Sequence, residues 1–160
     1  MLPRTIEELN ALRDECKSMV TTRAGLSAGA AVIPIPGADI GADVTLLLEM
    51  IPGINRKFGL TPDQIDDLDP QIKKIILVAI TSIGSELIGK MVTKQLIMQV
   101  LKRVGIRVAT KSVAKFIPIL GQALAASISF GAMKMVGNSH VDDCYEVAKK
   151  AILDGNAAVA

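Results

Sequence analysis

The sequence predicts an all-α fold, a compact bundle of αα-hairpins turning on two repeated corners. Three observations carry that prediction. Apolar residues recur at three- and four-residue spacing along most of the chain. No convincing run of alternating apolar and polar residues, and no Asn-Gly hairpin turn, marks a strand. One five-residue word occurs twice with a single change: IPIPG over residues 33–37 and IPILG over residues 117–121, 84 positions later. Proline fixes φ, lacks a donor and disfavours helix in the residue before it. Glycine lets two backbones approach closely. Pro34, Pro36 and Gly37, and again Pro118 and Gly121, therefore read as tight interhelical corners. Exposed turns are normally polar, so corners this apolar are expected to be buried in protein or pressed into a membrane surface.

The elements follow in order. Ile6, Leu9, Leu12, Cys16, Met19 and Val20 mark a first helix, expected to run into the Ala- and Gly-rich segment before Ile33. Ile40, Val44, Leu47, Leu48 and Ile51 mark a second, which Pro52-Gly53 should kink or end. Thr61-Pro62-Asp63-Gln64 is a start signal with a cap, a Pro in the first turn and a Gln three residues on, and Asp69-Pro70 is another. A long apolar segment over 72–88 is weakened by Gly84 and Gly89, and Gly105 should interrupt the helix after it. Residues 122–136 read as a helix stopped by Gly137-Asn138. Ser139 then caps a last helix with the stripe Val141, Cys144, Tyr145, Ala148, Ala151 and Ile152. One domain is expected over 1–153, with a frayed tail over 154–160.

Half of the 160 residues are hydrophobic, yet only 2% are aromatic and Trp is absent. The core must come from Ile, Leu, Val, Met and Ala. The longest uncharged runs, 24–38 and 116–133, each contain a corner and fall short of the ~20 apolar residues a spanning helix needs. The first 20 residues are mixed in charge and do not read as a cleavable signal. Cys16 and Cys144 both lie on apolar stripes and are expected as buried free thiols, which suits a reducing cytoplasm. Net charge is +2, but unevenly spread. Residues 71–139 carry 10 basic and 1 acidic group, while residues 1–70 carry 6 basic and 11 acidic.

Few patterns carry chemistry. Residues 84–90 spell G-x-x-x-x-G-K, but Met91 stands where a phosphate-binding loop needs a hydroxyl for Mg²⁺, and no strand pattern precedes it. Asp39 and Asp43 lie one turn apart. They read either as a paired-carboxylate site or, more simply, as acids complementing a helix N-terminus, with Asp43 able to meet a buried cation. His140 is the only histidine and reads as a surface residue beside a cap, so no metal, cofactor or catalytic triad is expected. The basic segment is more telling. Seven cations and no acid fall between Lys90 and Lys115, and Arg103, Arg107, Lys111 and Lys115 recur every four residues along one helical stripe. With Lys102 and Phe116 they form a candidate contact for anionic lipid or an acidic partner. A solvated face balancing the acidic N-terminal half is the plain alternative. Without interleaved aromatics or a motif, nucleic acid is not expected.

Two stretches resemble a known family. AAVIPIPGADIGADVTLLLEM, followed by NRKFGL, resembles the helical region of the immunity-related (interferon-inducible) GTPases. There an IPxPG corner precedes a helix with an internal Asp, and FGL follows. FIPILGQALAASISFGAMKM is similar to that family's second corner, IPxxG, with its small-residue helix. A related bacterial family of unknown function, linked to GTPases and membranes, has similar corners. The resemblance covers residues 24–60 and 112–153. By it, Pro34, Pro36, Gly37, Pro118 and Gly121 match the corner residues and Asp43 the helix acid. The family's GTPase domain is not present in these residues, Met91 breaks the P-loop-like string, and Pro52-Gly53 interrupts a helix that the relatives continue.

The resemblance implies a helical, membrane-associating or self-assembling module without GTP chemistry. With the apolar small-residue faces and the basic segment, the first reading is a non-enzymatic module that associates peripherally with a membrane, at its cytoplasmic face, and self-assembles as a homo-oligomer. Two other readings stand beside it: a soluble adaptor for a separately encoded GTPase or other partner, and a pore-forming or membrane-disrupting protein whose hairpins insert.

Overall fold

The Thr61 start signal folds as its sequence dictates. The Thr61 hydroxyl accepts from the Gln64 backbone N–H at 3.3 Å, and the Gln64 side chain accepts from the Thr61 N–H at 3.2 Å, closing a capping box. The computed structural model describes the backbone of residues 1–31, 38–111 and 121–159, and the side chains of residues 1–26, 44–103 and 130–155. The fold is all-α. Six helices and no strand are present among the described residues: α1 (Ile6–Ala31), α2 (Ala38–Phe58), α3 (Pro62–Asp66), α4 (Pro70–Ile83), α5 (Lys94–Lys111) and α6 (Gly121–Val159).

Several boundaries follow local chemistry. Asp69 caps α4 by accepting from the Gln71 N–H at 2.9 Å, with Pro70 at the first helical position. Gly59, at φ +74°, closes α2. A Cβ there would lie 2.7 Å from the Leu2 backbone nitrogen, so only glycine fits.

Five boundaries differ from expectation. Pro52 does not end α2, which continues to Phe58. Pro52 removes one backbone bond, but Leu47, Met50, Ile51, Ile54 and Phe58 are fully or almost fully buried on either side and hold the helix. Gly105 does not interrupt α5, since one glycine costs only ~1 kcal/mol. Gly137-Asn138 does not stop α6 either. A Cβ on Gly137 would lie 2.6 Å from Val20 Cγ1, so this glycine serves a close helix approach. The apolar segment 72–88 is not one helix: α4 stops at Gly84, whose left-handed backbone (φ +72°) donates to Ile80 O at 3.0 Å and Thr81 O at 3.2 Å. α6 also continues past Asp154 to Val159, where a frayed tail is expected, and Gly155 is buried.

Contacts divide the chain into two units. The first comprises Met1–Lys17, Ile51–Val92 and Ser139–Ala160, and the second Ser18–Met50 and Thr93–Asn138. Buried side chains of the first include Leu9, Cys16, Ile54, Phe58, Leu60, Ile76, Ile88 and the whole α6 stripe predicted from Val141 to Ile152. Those of the second include Val20, Ala24, Val44, Leu47, Met50, Ile97, Met133 and Val136. Pro34, Pro36, Gly37 and Pro118 lie outside the described residues, as does the expected burial of Ile33 and Ile117. Gly121 is the first residue of α6.

Candidate functional site

α5 carries the basic stripe. Its start is set by Thr93, whose hydroxyl accepts from the Leu96 N–H at 3.3 Å. Ile97 is fully buried and fixes which side of the helix faces inward. Five cations and no acid lie on the helix: Lys94, Lys102, Arg103, Arg107 and Lys111. Lys102 and Arg103 are exposed. Arg107 and Lys111 lie on the α5 backbone at one- and two-turn spacing from Arg103, and their side chains lie outside the described residues. Lys115 and Phe116 are wholly outside them. Asp39 and Asp43 occupy the first two turns of α2, with side chains likewise outside.

The loop that resembles a phosphate cradle is something else. Gly84 is the cap of α4, and Leu87 and Ile88 are buried. Gly89, at φ +67°, donates to Leu60 O at 3.2 Å, and a Cβ there would press on Ile65 Cδ1 at 3.0 Å. The segment follows a helix rather than a strand, and Met91 is 83% exposed. No phosphate-binding geometry arises from it.

A buried polar cluster was missed by the sequence. His140, expected at the surface, is 2% exposed, and Asn55 is 1% exposed. Asn55 Nδ2 donates to Leu87 O at 2.9 Å, which leaves its Oδ1 as the acceptor for His140 Nε2 at 2.9 Å. The imidazole is therefore the Nε2–H tautomer. Cys144 Sγ lies one turn along α6, 3.6 Å from both His140 Nε2 and Asn55 Oδ1. Burial lowers the His140 pKa from 6.5 to about 4, and burial raises the Cys144 thiol well above its ordinary range. An activated cysteine needs the reverse, a thiolate beside an imidazolium. The cluster is thus neutral on both sides and pins the 84–92 loop, α2 and α6 together within the first unit. The only sequence signal was His140 three residues before Cys144's neighbour Asp143, on the face that also holds Val141 and Cys144. Cys16 is also buried and free, with burial pushing its thiol up to about 11.

Beside the cluster, Asp142 accepts from Arg13 at 2.7 Å and Lys17 at 2.9 Å. Burial pushes this carboxyl up, but the two cations outweigh it and leave the pKa below its ordinary value. Tyr145 donates to Asn10 Oδ1 at 2.8 Å, and the Arg13 guanidinium lies 4.8 Å from its ring centre. These contacts fasten α1 to α6 and use polar groups that would otherwise be candidates for binding.

In the first unit a groove of about 800 Å³ runs along α4. Leu77 (47% exposed) and Val78 (60% exposed) form its apolar wall, and Lys73, Lys74, Thr81 and Ser82 lie around them. Lys73 pairs with Asp66 at 2.6 Å. Among the described residues no three His, Cys, Asp or Glu side chains are placed to hold a metal ion. None of the described helices is long and apolar enough to cross a membrane.

No family model matches the chain, and no solved structure matches it. Among curated proteins the chain is similar to "Interferon-inducible GTPase 5" of Bos taurus, at 26% identity over 149 residues, which cover 91% of this chain and 32% of that protein. The chain spans about a third of the length of the curated relative it matches.

Proposed function

We propose that these residues form a GTPase-associated helical module, related to the helical region of the interferon-inducible GTPases, that attaches peripherally to an anionic membrane surface and self-associates. The observation that carries this reading is the similarity to "Interferon-inducible GTPase 5" along 91% of the chain. The cation-only helix α5 supports it in a second way. Each basic residue near an anionic surface contributes about 1 kcal/mol. Arg103, Arg107, Lys111 and Lys115 together give a useful attraction, screened within about 8–10 Å at moderate ionic strength. Phe116 and the adjacent IPILG word supply apolar contact at the interface. The setting is the cytoplasmic face of a membrane, and the module performs no chemistry of its own.

The test is vesicle flotation with neutral and anionic lipid. Wild type floats with anionic vesicles at low salt. The variant with Arg103, Arg107, Lys111 and Lys115 all changed to Glu stays in the dense fraction while its helical spectrum is unchanged. Absence of wild-type flotation removes the membrane reading. It leaves the second reading, an adaptor for a separately encoded GTPase, which the same similarity favours. Binding that persists in the charge-reversed variant at high salt instead makes the apolar corners the contact.

A further inference from the structure

A glycine seats the residues before α1 on the first unit. A Cβ on Gly59 would lie 2.7 Å from the Leu2 backbone nitrogen and 2.8 Å from the Met1 carbonyl carbon, so the Met1–Arg4 arm lies close against the end of α2. The arm walls a cavity of about 490 Å³, which Leu68 and Ile72 line from the start of α4, and Ala151 and Ile152 from α6. Ala151 and Ile152 are buried, and Leu68 and Ile72 half-buried. Among the lining side chains only Arg4 and Asp69 are polar. The Arg4 backbone N–H donates to Glu8 Oε2 at 2.9 Å, while its exposed guanidinium meets only the Met1 thioether, at 3.9 Å. No carboxylate among the described residues lies in ion-pair range of that guanidinium. Arg4 also borders a second cavity, of about 410 Å³, beside Glu8 and Lys57.

We infer that the first cavity binds a free long-chain fatty acid, with its alkyl chain against Leu68, Ile72, Ala151 and Ile152 and its carboxylate on the Arg4 guanidinium. The volume falls within the range of about 300–1,000 Å³ of small-molecule sites, which join an apolar lining to a few polar groups. It suits one alkyl chain rather than the two of a bilayer lipid. A sugar, nucleotide or peptide would carry polar groups into a lining that offers them almost no side-chain partner, and such groups are costly to bury unpaired. An alkyl chain makes no such demand, and each methylene it buries tightens binding about fourfold. The guanidinium fork matches a carboxylate with two parallel hydrogen bonds. Lys57 is already taken by Glu15 at 2.6 Å, which leaves Arg4 as the available cation. Asp69 spends an oxygen on the Gln71 N–H at 2.9 Å and repels a second carboxylate, so the head group lies at the Arg4 end and the chain runs past Ile72.

This site is independent of the α5 membrane contact and of self-association, so its test leaves both untouched. The experiment is titration calorimetry of the whole chain with palmitate below its micellar concentration. One palmitate binds per chain, and octanoate binds at least a hundredfold more weakly. Arg4→Glu weakens palmitate about tenfold or more, whereas Lys74→Glu, the same charge change at an exposed position away from the cavity, leaves it unmoved. Ile72→Gln sets an amide in the path of the chain and also weakens palmitate about tenfold or more, with an unchanged helical spectrum. Arg4 is exposed, so its variant carries the test if Ile72→Gln fails to fold. Absence of stoichiometric palmitate binding overturns the site. Equal affinity for octanoate and palmitate overturns the alkyl channel. Equal weakening by Arg4→Glu and Lys74→Glu reduces the head-group contact to net charge and overturns the role of Arg4.

Discussion

His140 takes one hydrogen bond through Nε2 and leaves Nδ1 without a partner in a fully buried setting. Such a group resists protonation. Its pKa is about 4 when folded against an ordinary 6.5, so the unfolded chain takes the proton first. The stabilisation is complete above about pH 6.5 and is lost as pH falls toward 4, a loss on the order of 3 kcal/mol. Asp142, with a lowered pKa, also loses stability in acid, whereas Asp143, raised by burial and then by Asp142, acts in the opposite sense. Subtracting a His140→Gln variant isolates the imidazole. Its side-chain N–H can still reach Asn55 Oδ1, and it does not titrate. Urea melts between pH 7 and 4.5 should show wild type losing stability faster than His140→Gln. Parallel curves would mean that the imidazole is already protonated or solvated in the folded state.

At the scale of elements, the glycines of α4 and α6 do opposite work. Gly84 ends a helix because its left-handed backbone lets the N–H reach back to Ile80 O and Thr81 O. Gly137 sits inside a helix because a neighbour leaves no room for more than a hydrogen. Gly137→Ala would set a methyl 2.6–2.8 Å from the Val20 methyls and 3.0 Å from Met50 Cε. Ala favours helix by about 1 kcal/mol, but overpacking against a branched side chain costs about 1–3 kcal/mol. Gly137→Ala is therefore expected to destabilise the protein by ~1–2 kcal/mol in denaturant melts. A gain in stability would show that α1 and α6 shift apart freely at this contact. The same contact explains why α6 runs on where Gly137-Asn138 reads as a stop: packing of Val136 and Met133 outweighs one unfavourable propensity.

At the scale of the whole molecule, the geometry of the described sites argues against nucleotide chemistry in these residues. The G-x-x-x-x-G-K string folds as a cap and a buried turn, and its hydroxyl position is an exposed Met91. The buried cysteine–histidine pair is held neutral. No GTP or ATP turnover above background, and no stoichiometric Mg²⁺-nucleotide binding, is expected from these residues. Micromolar nucleotide affinity abolished by Lys90→Ala would contradict that expectation. Among the described residues, exposed surface lies at Lys102 and Arg103 of α5 and at Leu77 and Val78 of α4.

The sequence by itself determined the helical class, because apolar spacing of three and four is a local property of each segment. It also determined the starts of α3 and α4, whose caps bond within four residues, and the inward stripe of the last helix. Those signals are complete within one turn of chain. The tertiary structure decided the rest. Whether Pro52 and Gly137 break their helices depends on which distant side chains hold the neighbouring turns. His140 is buried because Asn55, 85 positions away, offers it an acceptor. The open face of α4 was invisible for the same reason. In an apolar helix every side reads as core, and only the packing of Ile76 and Ala79 leaves Leu77 and Val78 outside. Local hydrogen bonds and periodicity are written in short segments, whereas burial is a property of the neighbours that a segment acquires only on folding.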